Sequence, residues 1–231
     1  MQWDQDLDEP YIPVRDGVRL TPFHAGDTDA LYAVRSDPAV LAASEIDASQ
    51  YTLVKAREYL DRMIKSRARV IDLMRRGEQN DQSPFDVIRS YPSGELLGCI
   101  QLHLVEENNG TGSSDQSGVM ESNRSRREYE VGFSVSSAAR GTGLAQAALS
   151  ALIEVMIVKV LKGAAVIADV KDDNMASRRT LEKCGLRMVK AFNPEDNPPP
   201  FENYRGSILL YRRDLAISSA DVATPAPRSG Q

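Results

Sequence analysis

Residues 128–162 read EYEVGFSVSSAARGTGLAQAALSALIEVMIVKVLK. Tyr129, Val131, Phe133 and Val135 alternate with Glu128, Glu130, Gly132 and Ser134, the period-two pattern of a half-buried strand. From Leu144 to the end of the quotation the pattern is that of a long helix with a polar stripe at Gln146, Ser150 and Glu154. Between them stands Arg140-Gly141-Thr142-Gly143-Leu144-Ala145. Such a junction holds phosphate well. The first helical N–H groups have no partner within the helix, the dipole turns its positive end toward the loop, and glycines let a ligand approach the backbone. The same short run also serves as a plain turn.

Working outward, residues 164–170 are small and β-branched, which predicts a strand buried on both faces. Asp172-Asp173-Asn174 offers helix caps, a helix follows to Cys184, and Gly185 closes it. Residues 186–192 and 207–211 supply two last strands around the loop NPEDNPPPFENY. Upstream, residues 14–23 carry Val, Leu and Phe around a Gly17 turn and read as a first strand, with a short helix opening near Asp27. Residues 51–76 hold apolar side chains at helical spacing up to Gly77, and their basic excess reads as a solvated face. Strands at 85–90 and 95–105 flank Tyr91-Pro92-Ser93-Gly94 as a hairpin. The order is βααβββαβαββ.

The 231 residues suit one domain. We expect it to span 13–215, after a flexible lead-in at 1–12 and before a disordered tail at 216–231. A mobile insertion is expected at 107–127, where Gly, Ser and Asn crowd out any apolar period. A formal net charge of −5 argues against a polyanionic partner such as nucleic acid. The apolar run at 144–161 is broken by Gln146, Ser150, Glu154 and Lys159, so it predicts a buried helix and no membrane partner. Two distant cysteines, Cys99 and Cys184, form no disulfide framework and suit a reducing, cytoplasmic location. Cys99 and His103 share a strand face, but with His24 they make no recognisable ligand spacing, so no metal is expected.

The glycine loop lacks the Gly-Lys-Ser/Thr of a Walker P-loop. As a dinucleotide fingerprint it fails at Gln146 and lies past the middle of the chain. The succession YEVGFSV, RGTGLA, long helix, DVKDDN and NMASRRTLEKCGL instead resembles the acetyl-CoA-binding core of the GNAT superfamily of N-acetyltransferases. Glu130-Val131-Gly132-Phe133 and Asn174-x-x-Ser177 resemble its ribosomal-protein N-terminal acetyltransferase branch. The resemblance implies an α/β fold with a mixed, mostly antiparallel sheet flanked by helices, and acetyl-CoA as co-substrate. It places the pyrophosphate on Arg140, Gly141, Thr142, Gly143, Leu144 and Ala145. The pantetheine arm and thioester carbonyl fall to Phe133, Ser134 and Val135, with Asn174 and Ser177 beside them.

An amine attacks a thioester only as the free base. At pH 7 deprotonation costs about 4 to 5 kcal/mol for a lysine and about 1 to 1.4 for an α-amine, so a modest base serves the second. Glu130 is the expected base and Glu128, on the same face, competes with it. Many family members carry a Tyr where this chain has Leu181, which leaves Ser177 as the hydroxyl nearest the departing sulfur, unless it only caps the helix. Glu195, Asp196, Glu202 and Tyr204 fall in the loop where relatives meet their acceptors, here an amine of a small molecule or a protein N-terminus. The rival reading is an acyl-CoA-binding module without turnover, motivated by Leu181.

Overall fold

A computed structural model describes residues 1–44, 50–105 and 127–215. Nine strands form one sheet in the order β1-β2-β3-β4-β5-β6-β7-β9-β8. They are β1 (Gln2–Asp4), β2 (Glu9–Arg15), β3 (Val18–Thr21), β4 (Val87–Ser90), β5 (Leu96–Val105), β6 (Glu128–Val135), β7 (Ala165–Lys171), β8 (Arg187–Ala191) and β9 (Ile208–Asp214). Every neighbouring pair is antiparallel except β6 and β7. The helices are α1 (Thr28–Arg35), α2 (Pro38–Ala43), α3 (Leu53–Arg75), α4 and α5 (Met175–Lys183). Helix α4 begins as an α-helix at Leu144–Ala151 and widens into π geometry over Leu152–Leu161.

The fold matches the expected mixed, mostly antiparallel class, with corrections at the start of the chain. Residues 1–12, expected as a flexible lead-in, contain β1 and the first part of β2. Asp4 ties this edge to β3 through Arg19 at 3.0 Å, and Arg19 also lies over the rings of Tyr11 and Tyr91. The expected first strand at 14–23 is a hairpin turning at Gly17, where φ is +69°. Helix α2 is an addition to the expected order, opened by the Asp37 carboxylate accepting from the Ala39 N–H. The described part of the chain ends at residue 215; the expected insertion at 107–127, apart from Arg127, and the tail at 216–231 lie outside the described residues.

Two apolar layers clamp the sheet. On one face α4 lays Leu149, Leu152, Ile153 and Met156, all fully buried, against Ile100, Leu102, Tyr129, Val131, Val166 and Ala168. This helix is long and apolar enough to cross a bilayer, yet its apolar side forms the core. On the other face Leu31 and Val34 of α1 and Leu60 of α3 pack with Val87 and Cys99. Along β5, Ile100 and Leu102 join the first layer and Cys99 the second. The two faces of β6 are therefore distinct. Tyr129 and Val131 turn toward α4, whereas Glu130, Gly132 and Ser134 turn toward the side of α1 and α3, as their partners His103, Gln101 and Cys99 do.

Candidate active site

The parallel pair β6 and β7 is registered over three positions, Glu128 with Ala165, Tyr129 with Val166 and Glu130 with Ile167. Both strands continue, to Val135 and Lys171, without further pairing to each other. They part into a wedge in the middle of the sheet. Antiparallel strands alternate the side to which they offer their backbone groups. Ser136 donates its N–H to the Leu97 carbonyl on the β5 side at 2.8 Å, so alternation turns the N–H groups of Phe133 and Val135 toward the wedge, and that of Ser134 away from it. Backbone donors thus line one wall of an opening that no strand fills.

The glycine loop stands at the same end. Gly143 is the N-cap of α4 with φ +76°, and Gly141 has φ +75°. A Cβ built on either would meet nothing within 4 Å, so the space above both is open. Ala147 makes the first helical bond back to the Gly143 carbonyl, leaving the N–H groups of Leu144, Ala145 and Gln146 without helical acceptors. No acidic residue occupies the first turn. The loop is braced from behind, where Arg15 of β2 donates to the Thr142 carbonyl at 3.0 Å and the Thr142 hydroxyl donates to the Ala139 carbonyl at 2.8 Å. Open space, donors without helical acceptors and a first turn free of acidic side chains suit a diphosphate.

Arg140 departs from the expectation of a free phosphate ligand. Its guanidinium lies 2.5 Å from the Asp37 carboxylate and holds that carboxyl below the usual aspartate range. Its side chain therefore ties the loop to the start of α2, and the backbone groups of the loop are what face the open space.

The candidate carboxylates separate clearly. Glu128 is engaged at 2.8 Å by Arg212 of β9. Glu130 has no ion pair among the described residues; its side chain reaches solvent, but the surrounding protein desolvates the carboxyl and lifts its pKa. Sequence reasoning missed a third. Asp169 of β7 lies two residues past Ile167 and so shares a face with Glu130. Its Oδ1 is buried without a hydrogen-bond partner, and burial, then the charge of Glu130, pushes its carboxyl up to about 6. The signal available in the sequence was an aspartate inside a strand otherwise built, up to its closing Lys171, of Ala, Val and Ile.

Around this wedge stand Gln101, whose amide donates to the Tyr59 hydroxyl at 2.5 Å, and Arg35, stacked 4.1 Å over the Tyr59 ring. Lys171, at the far end of β7, donates to the carbonyls of Ala42 and Ser44, so it fastens the end of α2 beside the opening. Asn174 uses its side-chain oxygen to cap α5 through the Ser177 N–H at 3.1 Å. Leu181 is fully buried in the core. In the proline-rich loop, Glu195, Asp196 and Glu202 are exposed, while Tyr204 turns inward and donates to Asp172 at 2.7 Å; that bond lowers the carboxyl's pKa, and desolvation, then the bond, raises the phenol's. Cys99 is buried, its thiol pushed up to about 12, and His24 lies 2.9 Å from Glu9.

Residues 18–187 match the model of the acetyltransferase (GNAT) domain family. No curated protein matches the chain. Among solved structures, RimL, a ribosomal L7/L12 alpha-N-protein acetyltransferase in complex with coenzyme A, superposes with a TM-score of 0.62 at 15% identity, covering 89% of this chain and 98% of its own. A GNAT-family acetyltransferase from Bacillus anthracis gives 0.62 at 18% identity over 89% and 98%. Mycobacterium smegmatis RimJ, in complex with CoA-disulfide, gives 0.58 at 18% over 94% and 89%.

Proposed function

Since the chain belongs to the GNAT family of acetyltransferases and is an acetyl-CoA-dependent acyltransferase, we propose that it transfers the acetyl group to a primary amine, of a small molecule or a protein N-terminus, by direct attack. The observation that carries this reading is the divergence of β6 and β7 beside the open amino end of α4. Acetyl-CoA supplies an activated carbonyl as a thioester. The N–H groups of residues 141–145 hold its pyrophosphate, with Arg140 acting on loop position through Asp37 and not as a direct ligand. The Phe133 and Val135 N–H groups take the pantetheine arm and support the carbonyl oxygen as charge develops on it. Glu130, on the opposite face of the sheet from α4, takes a proton from the incoming amine, directly or through a water. Ser177 supplies the hydroxyl for the departing sulfur, and Asn174 fixes the α5 turn that carries it. With both described cysteines unpaired, we place the protein in the cytoplasm.

This reading is tested by thiol release from acetyl-CoA against a panel of peptides with free α-amines and of small alkylamines. Turnover with at least one class is expected, and it should fall by about 10²-fold or more in Glu130→Gln at unchanged coenzyme affinity. Tight coenzyme A binding with no turnover of any amine would support an acyl-CoA-binding module instead.

A further inference from the structure

We propose that Asp169 is a second catalytic carboxylate, which receives the acceptor's ammonium group in the mouth of the wedge and takes its proton, so that the enzyme selects amines that arrive positively charged. The inference rests on the transferase reading and assigns a role to a residue that reading does not use. Three independent observations support it.

The first is register. Glu130 pairs with Ile167, so continuing the count along both strands sets Asp169 level with Gly132, just beyond the point where the strands separate. The second is space. Gly132 has no side chain on the face that Asp169 shares, and a Cβ there would come no nearer than 4.0 Å, to the Gln101 side-chain oxygen. Asp169 thus looks across a gap the width of a missing side chain. The third is an unmet valence. Oδ1 of Asp169 is buried and accepts no hydrogen bond. A buried carboxylate oxygen without a donor is costly unless a ligand supplies one, and an ammonium group supplies three.

The charged neighbours on this face agree. Glu130 stands on β6 and Lys171 on the same strand as Asp169; Lys171 is drawn to the end of α2 by the Ala42 and Ser44 carbonyls. On β9 Arg212 is engaged by Glu128 and Asp214. On β5 His103 faces Glu130, and burial lowers its pKa, so near neutrality it adds no positive charge. On the helices packed over this face, Arg35 lies over Tyr59 and Arg67 is held by Asp86. Glu130 and Asp169 together form a negative mouth.

The step balances with these groups alone. Asp169 accepts one proton from R–NH3⁺ and becomes a carboxylic acid. The free nitrogen forms its bond to the thioester carbonyl carbon as the carbon–sulfur bond breaks, Glu130 takes the second proton from that nitrogen and passes it to solvent, and Asp169 gives its own proton up to the departing thiolate, which restores both carboxylates. The products are the N-acetyl amine, coenzyme A thiol and one proton.

Asp169→Asn keeps the shape and removes the base. With an alkylamine, kcat/KM at pH 7 should drop about 10²-fold or more, and the wild-type loss of rate on acidifying through about 6 should disappear. With O-methylhydroxylamine, a weakly basic amine already neutral at that pH, the loss should stay within about tenfold, because no proton must be removed before attack. Acetyl-CoA affinity by calorimetry should not change. Equal losses with the two amines, or wild-type turnover of the alkylamine by the variant, would overturn the role of Asp169 while leaving the transferase reading in place. Absence of wild-type turnover with every amine would instead remove the transferase reading and this role with it. Carbon-13 NMR of labelled aspartate gives a readout apart from activity: the Asp169 carboxyl should titrate near 6 and move down in Glu130→Gln, and titration in the ordinary aspartate range would contradict the pairing.

Discussion

Gly143→Asp is expected to weaken coenzyme A binding by about a hundredfold or more, equivalent to about 2.7 kcal/mol, in a protein that still folds. Three effects act in the same direction. The residue sits at φ +76°, where a side chain costs about 1 to 2 kcal/mol of conformational strain. The new side chain enters the space that is open above the loop. Its negative charge then occupies the amino end of α4, cancelling the field that favours an anion there. Gly143→Asn carries the strain and the bulk without the charge, so the difference between the two variants isolates the electrostatic part. Calorimetry at two salt concentrations measures both, and the aspartate variant should bind relatively better at high salt, where like charges are screened. Wild-type affinity in Gly143→Asp would place the pyrophosphate elsewhere.

The second large effect concerns stability. Arg67 of α3 reaches Asp86 with two parallel bonds, 2.8 and 2.9 Å, and the two side chains are 7% and 0% exposed. Arg67→Met should cost about 3 to 5 kcal/mol, because it leaves a carboxylate in the core without its cation. That is a large share of the about 5 to 15 kcal/mol by which a domain is stable. Arg67→Met with Asp86→Leu should recover most of it, since an apolar pair of similar volume removes the buried charge. Burial already raises the Asp86 carboxyl's pKa despite the opposing Arg67. Without Arg67 the folded protein prefers the protonated acid, so the single variant should lose stability as pH rises from the ordinary aspartate value, about 3.9, through the raised one. Urea melts from pH 4 to 8 measure this. A single variant within about 1 kcal/mol of wild type at pH 7 would show that the pair contributes little to the attachment of α3.

What could be read from the sequence follows the range over which each feature is encoded. The strand, glycine loop and long helix at 128–162 are local patterns, and β6 and α4 appear where the alternation and the glycines put them. The choice between Glu128 and Glu130 was not local. They share a face, and Arg212, more than eighty residues away, engages one and not the other. Arg140 fits its motif, yet its side chain is held by Asp37, about a hundred residues upstream, which no spacing rule anticipates. Asp169 stayed unnoticed because its meaning depends on the register between parallel strands joined by a helix. Only that register sets it level with Gly132. The strands in residues 1–12 depend likewise on partners, Asp4 on Arg19 and β1 on β2, in a stretch too short and acidic to announce itself.

In the proposed reading one anion site at the start of α4 and one wedge between β6 and β7 hold a single acetyl-CoA, with the amine arriving from the face that carries Glu130 and Asp169. A crystal structure of the protein with acetyl-CoA decides this. The diphosphate is expected against the N–H groups of residues 141–145 and the thioester between Phe133 and Asp169. A diphosphate bound anywhere else, or a thioester on the α4 side of the sheet with both carboxylates out of reach, would contradict it.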